Sequence, residues 1–412
     1  MFRNLRGKLF AIVTFIILIS ALYTGAVNAG EPASLLQRKN QLENVRDYAP
    51  ALSADALNYA IDGGLLFAGQ PTAWQQLPTP ANVIVGAVAQ DPENAQTLYI
   101  GAANEMAIYR SQDAGAHWLR IPLSNDYIGG ITDIAINPAQ RTLYVGSDTA
   151  GIFRLRDIGS SMILSGHTMF DEAVLEIVAD QKGAGLAFAR TEWHVFRGIS
   201  NGMEWMPLDM LTSAPTALAI VDTAPATIYI GTTDRGLLKS TDGFTWQMVN
   251  AGFAITPGTR LQVDALAADP VQPAVLYVAM SYLSGHYEVH QAPVGVLMST
   301  DTAIHWTSLP TTVPAPIVRL LPVSGQSGAA YALTTQSRTP LAIGSAPIVN
   351  TVDVSTVSAS TNVSDTQWRT SLIAWVVAAL ASATLVWMLL SELLMRSRAL
   401  VSILPLKAVH EV

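Results

Sequence analysis

The chain has 412 residues, contains no cysteine and carries a formal net charge of −8. The missing cysteine excludes disulfides, thiolate catalysis and cysteine-ligated zinc. Lysine and arginine form no run outside the flanks of the two apolar ends, so nucleic-acid binding, which needs clustered cations, is not expected. Charged residues are 13% of the chain, about half the usual quarter, and the two apolar ends account for part of this deficit.

The N-terminal residues 1–29 have the pattern of a secretory signal. Three cations within the first eight residues precede the apolar stretch Leu9–Tyr23, and small residues up to Ala29 suit cleavage there. An uncleaved signal anchor is the alternative, because residues 9–29 carry no charge and are long enough to span a bilayer. Both interpretations leave the basic end in the cytoplasm and export the following chain. We expect residues 30–56 to form a short amphipathic helix or a loose lead-in.

An aromatic residue recurs in the same short apolar strand pattern every 40 to 54 residues. A repeat of roughly 40–45 residues built from short strands is typical of a β-propeller blade. The pattern predicts an all-β fold over residues 57–345, a seven-bladed β-propeller of four-stranded antiparallel blades. The seven aromatic positions are Tyr59, Tyr99, Tyr144, Phe188, Tyr229, Tyr277 and Tyr331.

A second repeated pattern lies in the predicted turn between the third and fourth strands of three blades. It reads Ser-x-Asp, followed four or five residues later by tryptophan. The serine and aspartate are expected to bond backbone N–H groups of the turn, and the tryptophan is expected to pack against the sheet. We therefore expect a structural role for nine residues: Ser111, Asp113, Trp118, Ser240, Asp242, Trp246, Ser299, Asp301 and Trp306.

These turns resemble the Asp-box, also known as the bacterial neuraminidase repeat. Over residues 57–345 the combined pattern resembles the photosystem II stability and assembly factor family, and more distantly the sialidase and xyloglucanase propellers. The first resemblance implies a non-enzymatic protein that helps to assemble a membrane complex. That family carries a basic ligand patch, whereas this chain is acidic and has an additional apolar segment near its C-terminus.

The sequence shows no set of catalytic residues. Sialidases carry an early Phe-Arg-Ile-Pro, but here Phe153-Arg154 is followed by Leu155-Arg156. A glycosidase needs two carboxylates at a defined separation. Acidic residues outside the boxes follow no motif, and they include Asp133, Asp171, Glu172, Glu176, Glu192, Asp234 and Asp264. We therefore expect no enzymatic activity, no cofactor and no metal site.

Blade six contains an insertion, Ser281–Pro293. Its residues Tyr282, His286, Tyr287 and His290 are expected to contact a partner, because aromatic side chains on a long loop favour such contacts. A decorated hairpin without a binding role is the alternative. The two histidines would lie roughly 13 Å apart along a strand, which is too far to bind one metal ion.

The C-terminal region begins with a predicted Ser/Thr/Val-rich stalk over residues 346–369. Its first part, Pro347–Ser355, is rich in β-branched residues and is a candidate for a strand that closes the ring. Residues 370–391 carry no charge and, as a helix about 33 Å long, would cross the hydrocarbon core. We predict a transmembrane helix over residues 370–394 and, because basic residues follow it, a short cytoplasmic tail over residues 395–412.

These features predict a membrane-anchored extracytoplasmic propeller that acts as a non-enzymatic protein-interaction or membrane-complex assembly and stability module. The expected partner is a protein within a membrane complex. The alternative is a carbohydrate-binding or glycoside-hydrolase propeller, with a glycan as ligand. A sensor is a third interpretation, limited to recruitment by the short tail. A central pocket with convergent acids and arginines would favour the enzyme, and a flat face would favour the scaffold.

Overall fold

A computed structural model describes residues 37–344, except for residues 54–55, 71–72, 184, 254–256, 270–271, 273, 286–287, 324–325 and 338. The segments predicted as signal, stalk, transmembrane helix and cytoplasmic tail lie outside these described residues. Within them, no helix has both the length and the apolar character needed to cross a membrane.

The described chain forms seven antiparallel sheets in sequence order, which are the blades of a propeller. The first strands of consecutive blades lie side by side around a central channel. Blade one contains β1 (Arg38–Lys39), β2 (Val45–Ala49), β3 (Asn58–Asp62), β4 (Leu65–Gln70) and β5 (Ala73–Gln76). Blade two contains β6 (Val85–Gln90), β7 (Leu98–Ala102), β8 (Ala107–Ser111) and β9 (Leu119–Pro122). Blade three contains β10 (Ile131–Asn137), β11 (Thr142–Ser147), β12 (Ile152–Asp157) and β13 (Met162–Thr168), with a 3-10 turn at Pro138–Gln140.

In blade one the order from the channel outward is β2, β3, β4, β5 and β1, and in the other blades the strands run outward in sequence order. Blade four contains β14 (Glu176–Ala179), β15 (Ala187–Arg190), β16 (Val195–Ile199) and β17 (Glu204–Pro207). Blade five contains β18 (Pro215–Val221), β19 (Thr227–Thr232), β20 (Leu237–Ser240) and β21 (Gln247–Met248). Blade six contains β22 (Arg260–Ala268), β23 (Leu276–Ser284), β24 (His290–Ser299) and β25 (Thr307–Ser308). Blade seven has three described strands, β26 (Ile317–Pro322), β27 (Ala329–Thr334) and β28 (Leu341–Gly344).

The seven repeated aromatic residues lie in the second strand of each blade, and all of them are buried. Their rings belong to the hydrophobic clusters that fill the spaces between blades. Tyr144, for example, packs edge-on against Trp205 of blade four, with ring centroids 5.6 Å apart. One large aromatic side chain per blade thus supplies the packing between neighbouring sheets. The predicted seven-bladed architecture of four-stranded antiparallel blades is confirmed.

The beginning of blade one differs from the expectation for residues 30–56. We expected a helix or a loose lead-in there, but Arg38–Lys39 and Val45–Ala49 are strands, and the second of these is the first strand of the blade. The sequence does not indicate this strand, because the charged pair Arg46-Asp47 interrupts its apolar residues. Asp47 can be buried because its carboxylate accepts hydrogen bonds from Tyr48 N–H and Val88 N–H.

Blades one and seven meet at a seam that joins the two ends of the described ring. The first strand of blade one is β2, from the N-terminal part of the described chain. The candidate closing strand, Pro347–Ser355, lies outside the described residues. Tyr48 and Phe67 of blade one belong to the same buried cluster as Leu321 and Leu333 of blade seven. Arg319 of blade seven also forms an ion pair with Asp47.

Candidate functional site

The ring has two faces with different loops. Because the strands alternate in direction, the loops leading into each first strand share one face with the turns between second and third strands. We call this the groove face. The opposite face, which we call the box face, carries the turns after the first strands and the three Ser-x-Asp turns that resemble the Asp-box.

The three Ser-x-Asp turns are built from local hydrogen bonds. Ser111 Oγ accepts from Gly115 N–H at 2.8 Å, and Asp113 Oδ1 accepts from His117 N–H at 2.8 Å. Ser240 and Ser299 accept from the turn in the same way, with donors at 2.8 and 2.9 Å. These bonds satisfy backbone groups of the hairpin itself, as Asx and ST turns do.

The remaining box residues support the same turns. Backbone N–H groups of Thr245 and Phe244 lower the pKa of Asp242, and the His305 N–H lowers that of Asp301. The tryptophans pack inward: Trp246 lies edge-on to Phe188, and Trp306 lies against Phe253 with ring centroids 5.1 Å apart. Trp118 Nε1–H donates to the Pro78 carbonyl at 2.8 Å.

A groove with a volume of about 670 Å³ lies on the groove face, across blades four to seven. Its wall is partly apolar, and three carboxylates from three blades border it. The acids Glu192, Asp234 and Asp264, which follow no motif in the sequence, are brought together here. The apolar lining includes Leu175, Trp193, Pro215, Ile317 and Val318.

The same face exposes several large apolar side chains. The Trp193 side chain, in the turn after β15, is 60% exposed at the border of the groove. In the loop before β10, Ile128 is 95% exposed. Leu175 and Met210 are also exposed in loops that lead into first strands. Of these residues, Trp193 and Leu175 line the groove itself, and exposed apolar residues beside a groove are typical of a protein or ligand contact surface.

Asp264 is the most enclosed carboxylate of the groove. It accepts hydrogen bonds from Gln262 Nε2 and Gln291 Nε2, both at 2.8 Å, and from the Ser281 hydroxyl. Burial raises the pKa of Asp264 to about 6, and these three donors limit the rise. Asp234 is more exposed and accepts from Ser213 Oγ at 2.6 Å.

The blade-six insertion borders this groove. Strands β23 and β24 are 9 and 10 residues long, so their hairpin extends beyond those of the other blades. Tyr282 is half-buried opposite Ala292, and His290 is exposed opposite Ser284. The other two predicted contact residues, His286 and Tyr287, lie outside the described residues.

The central channel contains a ring of seven equivalent positions, one from each first strand. In six blades this residue follows a β-bulge. In each of these blades it pairs with the residue two positions after the repeated aromatic residue of the second strand. Glu176 occupies the matching register in blade four. We call these positions the channel ring, and they are Asp47, Ala87, Asp133, Glu176, Ala217, Ala265 and Arg319.

The acids of the channel ring connect neighbouring blades. Asp47 accepts from Val88 N–H of blade two at 2.8 Å, and Asp133 accepts from Ile177 N–H of blade four at 2.6 Å. Burial, and then the nearby Asp47 carboxylate, raise the pKa of Asp133 to about 7. Acids and an arginine thus converge on the central channel, the arrangement expected of the enzyme alternative. The carboxylates accept hydrogen bonds from first-strand N–H groups, however, and so act as bridges between blades.

A cavity of about 330 Å³ extends along the channel from this ring toward the box face. The first strands of all seven blades line it. In the sequence, Asp133 and Glu176 are acids that follow no motif. Their separation by one blade length, at the same place in the repeat, is the signal that would have identified them as equivalent positions.

Several solved structures share this fold. The GH74 xyloglucanase from Xanthomonas campestris is 18% identical, with a TM-score of 0.53 over 73% of this chain and 52% of that chain. The protein YCF48 bound to D1 peptide is 13% identical, with a TM-score of 0.51 over 76% of this chain and 97% of that chain. A chain of the mitotic checkpoint complex is 11% identical, with a TM-score of 0.51 over 75% of this chain and 90% of that chain.

These similarities establish the fold, since all three identities are low. The chain spans about half the length of the xyloglucanase that it matches. Enzymes and non-enzymes both occur among the similar structures. A scan against family models and a search of curated proteins find no match to the sequence. Among the described residues, no group of three His, Cys, Asp or Glu side chains is arranged to hold a metal ion.

Proposed function

We propose that this protein is a membrane-anchored, extracytoplasmic propeller that binds a protein partner without catalysing a reaction. The observation that carries the proposal is the exposed apolar surface around the groove, with Trp193 at its border. Exposed tryptophan is enriched at binding hot spots because it buries a large area in a partner. The anchor is the predicted transmembrane helix over residues 370–394, and the groove would face a membrane-complex partner outside the cytoplasm.

The chemistry of the groove indicates what kind of segment it binds. Glu192, Asp234 and Asp264 place negative charge beside apolar side chains. A partner segment with lysine or arginine next to large apolar residues complements both properties. Peptide binding by this fold has a precedent, since YCF48 is solved bound to D1 peptide and this chain covers 97% of that protein.

The experiment compares two exposed aromatic residues on opposite faces. The full-length chain, tagged at its C-terminus, is crosslinked in native membranes and purified, and its partners are identified by mass spectrometry. We expect stoichiometric recovery of a membrane protein that is lost in Trp193→Ala. Phe244→Ala is the matched control, because Phe244 is 67% exposed on the box face. Equal recovery by both variants would refute a role for the groove, and recovery of no partner would refute the proposal.

A carbohydrate-binding propeller is the second candidate. An exposed Trp193 beside carboxylates in an open groove is also suited to stacking on a sugar ring and bonding its hydroxyl groups. The similarity to a xyloglucanase supports this candidate at the level of the fold. Binding of glycans on an array by the wild type, with loss in Trp193→Ala, would favour it. An array without signal would remove it.

A further inference from the structure

The channel ring organises seven equivalent backbone N–H groups. They belong to the residue after each ring position, and five of them are bonded to ring carboxylates. Asp47 accepts from Tyr48 and Val88, each at 2.8 Å. Asp133 accepts from Ile134 at 2.9 Å and from Ile177 at 2.6 Å. Glu176 accepts from Leu218 at 3.1 Å.

The other two N–H groups belong to Leu266 of blade six and Leu320 of blade seven. Leu266 pairs with Val278, and Leu320 pairs with Ala332, in the register that Val88 has with Ile100. In this register the N–H does not bond the second strand and is directed into the channel, as the Val88–Asp47 bond shows. Both leucines line the channel cavity.

The ring positions explain why these two groups differ. A carboxylate at a ring position accepts a hydrogen bond from the N–H of the following blade. The ring positions that precede Leu266 and Leu320 are Ala217 and Ala265, which carry no carboxylate. The ring position beside Leu320 is Arg319, which is 41% exposed to the channel. Its Nη1 pairs with Asp47 Oδ1, and its planar fork has further N–H donors. This side of the channel therefore presents three hydrogen-bond donors where the other side presents acceptors.

We propose that the channel binds a small organic monocarboxylate, held by Leu266 N–H, Leu320 N–H and the Arg319 guanidinium, with its apolar body in the channel cavity. The ligand carboxylate would take the place that Asp47 and Asp133 occupy in the other blades. Fixed N–H groups beside an arginine form an anion site of the kind proteins build elsewhere.

The surroundings define the class of ligand. Because Asp47, Asp133 and Glu176 share the ring layer, a dianion such as phosphate would meet more repulsion than a carboxylate. The cavity of about 330 Å³ is at the small end of ligand sites, and most of its wall is alanine, valine, leucine and isoleucine. Its mouth on the box face is lined by Pro50, Leu52 and Pro92. The site therefore suits a short aliphatic or similarly compact apolar acid.

The pH should modulate binding at this site. Asp47, Glu176 and Arg319 face Asp133 across the channel, and Arg190 pairs with Glu176 at 2.7 Å. Burial raises the pKa of Asp133 to about 7, so its negative charge is lost below that pH. A ligand carboxylate stays ionised well below pH 6. Binding should accordingly be tighter at pH 6 than at pH 8.

The test uses calorimetry on the full-length chain in detergent with three probes of equal chain length, hexanoate, hexanol and hexylamine. Hexanoate should bind at least about tenfold more tightly than the other two, the factor that one charged hydrogen bond supplies. Arg319→Lys keeps the charge beside Asp47 but removes the planar fork, and it should weaken hexanoate binding by about tenfold. Arg154→Lys, in the third strand of blade three, is the control and should leave the affinity unchanged.

A second variant tests the backbone donors. Ala217→Asp would supply the missing ring carboxylate to Leu266 N–H, as Asp133 does for Ile177, and should abolish hexanoate binding. If this variant does not fold, Arg319→Lys still decides the question. Equal affinities for hexanoate and hexanol would overturn the proposal. Unchanged hexanoate affinity in Arg319→Lys would overturn it as well.

Discussion

Asp47 is the residue on which we expect ring stability to depend most strongly. Its side chain is only 4% exposed, and it connects three blades. It accepts from Tyr48 N–H in blade one and Val88 N–H in blade two, and it pairs with Arg319 of blade seven. Replacing it with alanine removes all three interactions at once, at the seam between the first and last blades.

The expected loss follows from the bonds that disappear. All three partners bond the Asp47 carboxylate, and hydrogen bonds to a charged group contribute about 1.5–3 kcal/mol each. We take the lower end of this range, because the Arg319 side chain is partly exposed. Asp47→Ala should therefore lower the free energy of unfolding by about 4 kcal/mol, a large part of the roughly 5–15 kcal/mol that stabilises a typical domain. Asp47→Asn keeps one acceptor and loses the charge, so its loss should be about half as large.

Urea unfolding of the full-length chain, followed by tryptophan fluorescence, measures this difference. Trp74 is a suitable reporter, because it packs edge-on against Tyr48 beside the seam, with ring centroids 6.0 Å apart. Asp126→Ala is the matched control: Asp126 lies in an exposed loop, and its replacement should change stability by less than about 0.5 kcal/mol. If Asp47→Ala is no less stable than Asp126→Ala, Asp47 does not stabilise the seam between blades one and seven.

The groove carboxylate Asp264, the turn residue Gly202 and the Ser111 hydroxyl should each also affect stability. Since Asp264 has a pKa of about 6 when folded, the native state holds a proton that the unfolded chain loses near pH 4, and stability should fall as pH rises from 4 to 6. Asp264→Asn should reduce that slope in melting temperatures; an identical slope contradicts the reasoning. Gly202→Ala should lower the free energy of unfolding by about 3 kcal/mol, because at this positive φ the added Cβ would lie 2.3 Å from the Tyr144 ring. Gly258 also has a positive φ but lies in open space, so Gly258→Ala should cost only about 1 kcal/mol. Equal losses of the two variants in urea unfolding would be inconsistent with the clash. Ser111→Ala removes the acceptor for Gly115 N–H and should cost about 1–2 kcal/mol in the same assay, and an unchanged midpoint would show that the box hydroxyl is dispensable.

The local patterns of the sequence were sufficient for the architecture. Each aromatic residue lies in a strand whose neighbours are only a few residues away, and the serine and aspartate of each Ser-x-Asp turn bond the backbone of that same turn. Such short-range patterns are visible in a single sequence because strand alternation and turn chemistry are local. The predicted export signal and transmembrane helix depend on composition alone, and they remain predictions.

The binding surfaces depend on contacts between blades. Asp47, Asp133 and Glu176 bond N–H groups 41 to 44 residues away, and the groove collects Glu192, Asp234 and Asp264 from three blades. The sequence could not show these relations, because they depend on the angle at which one sheet packs on the next. The first strand of blade one was missed for the same reason, since its buried aspartate is stable only beside Val88 and Arg319. Local chemistry determined the blades, and the closure of the ring alone decided which side chains face the groove and the channel.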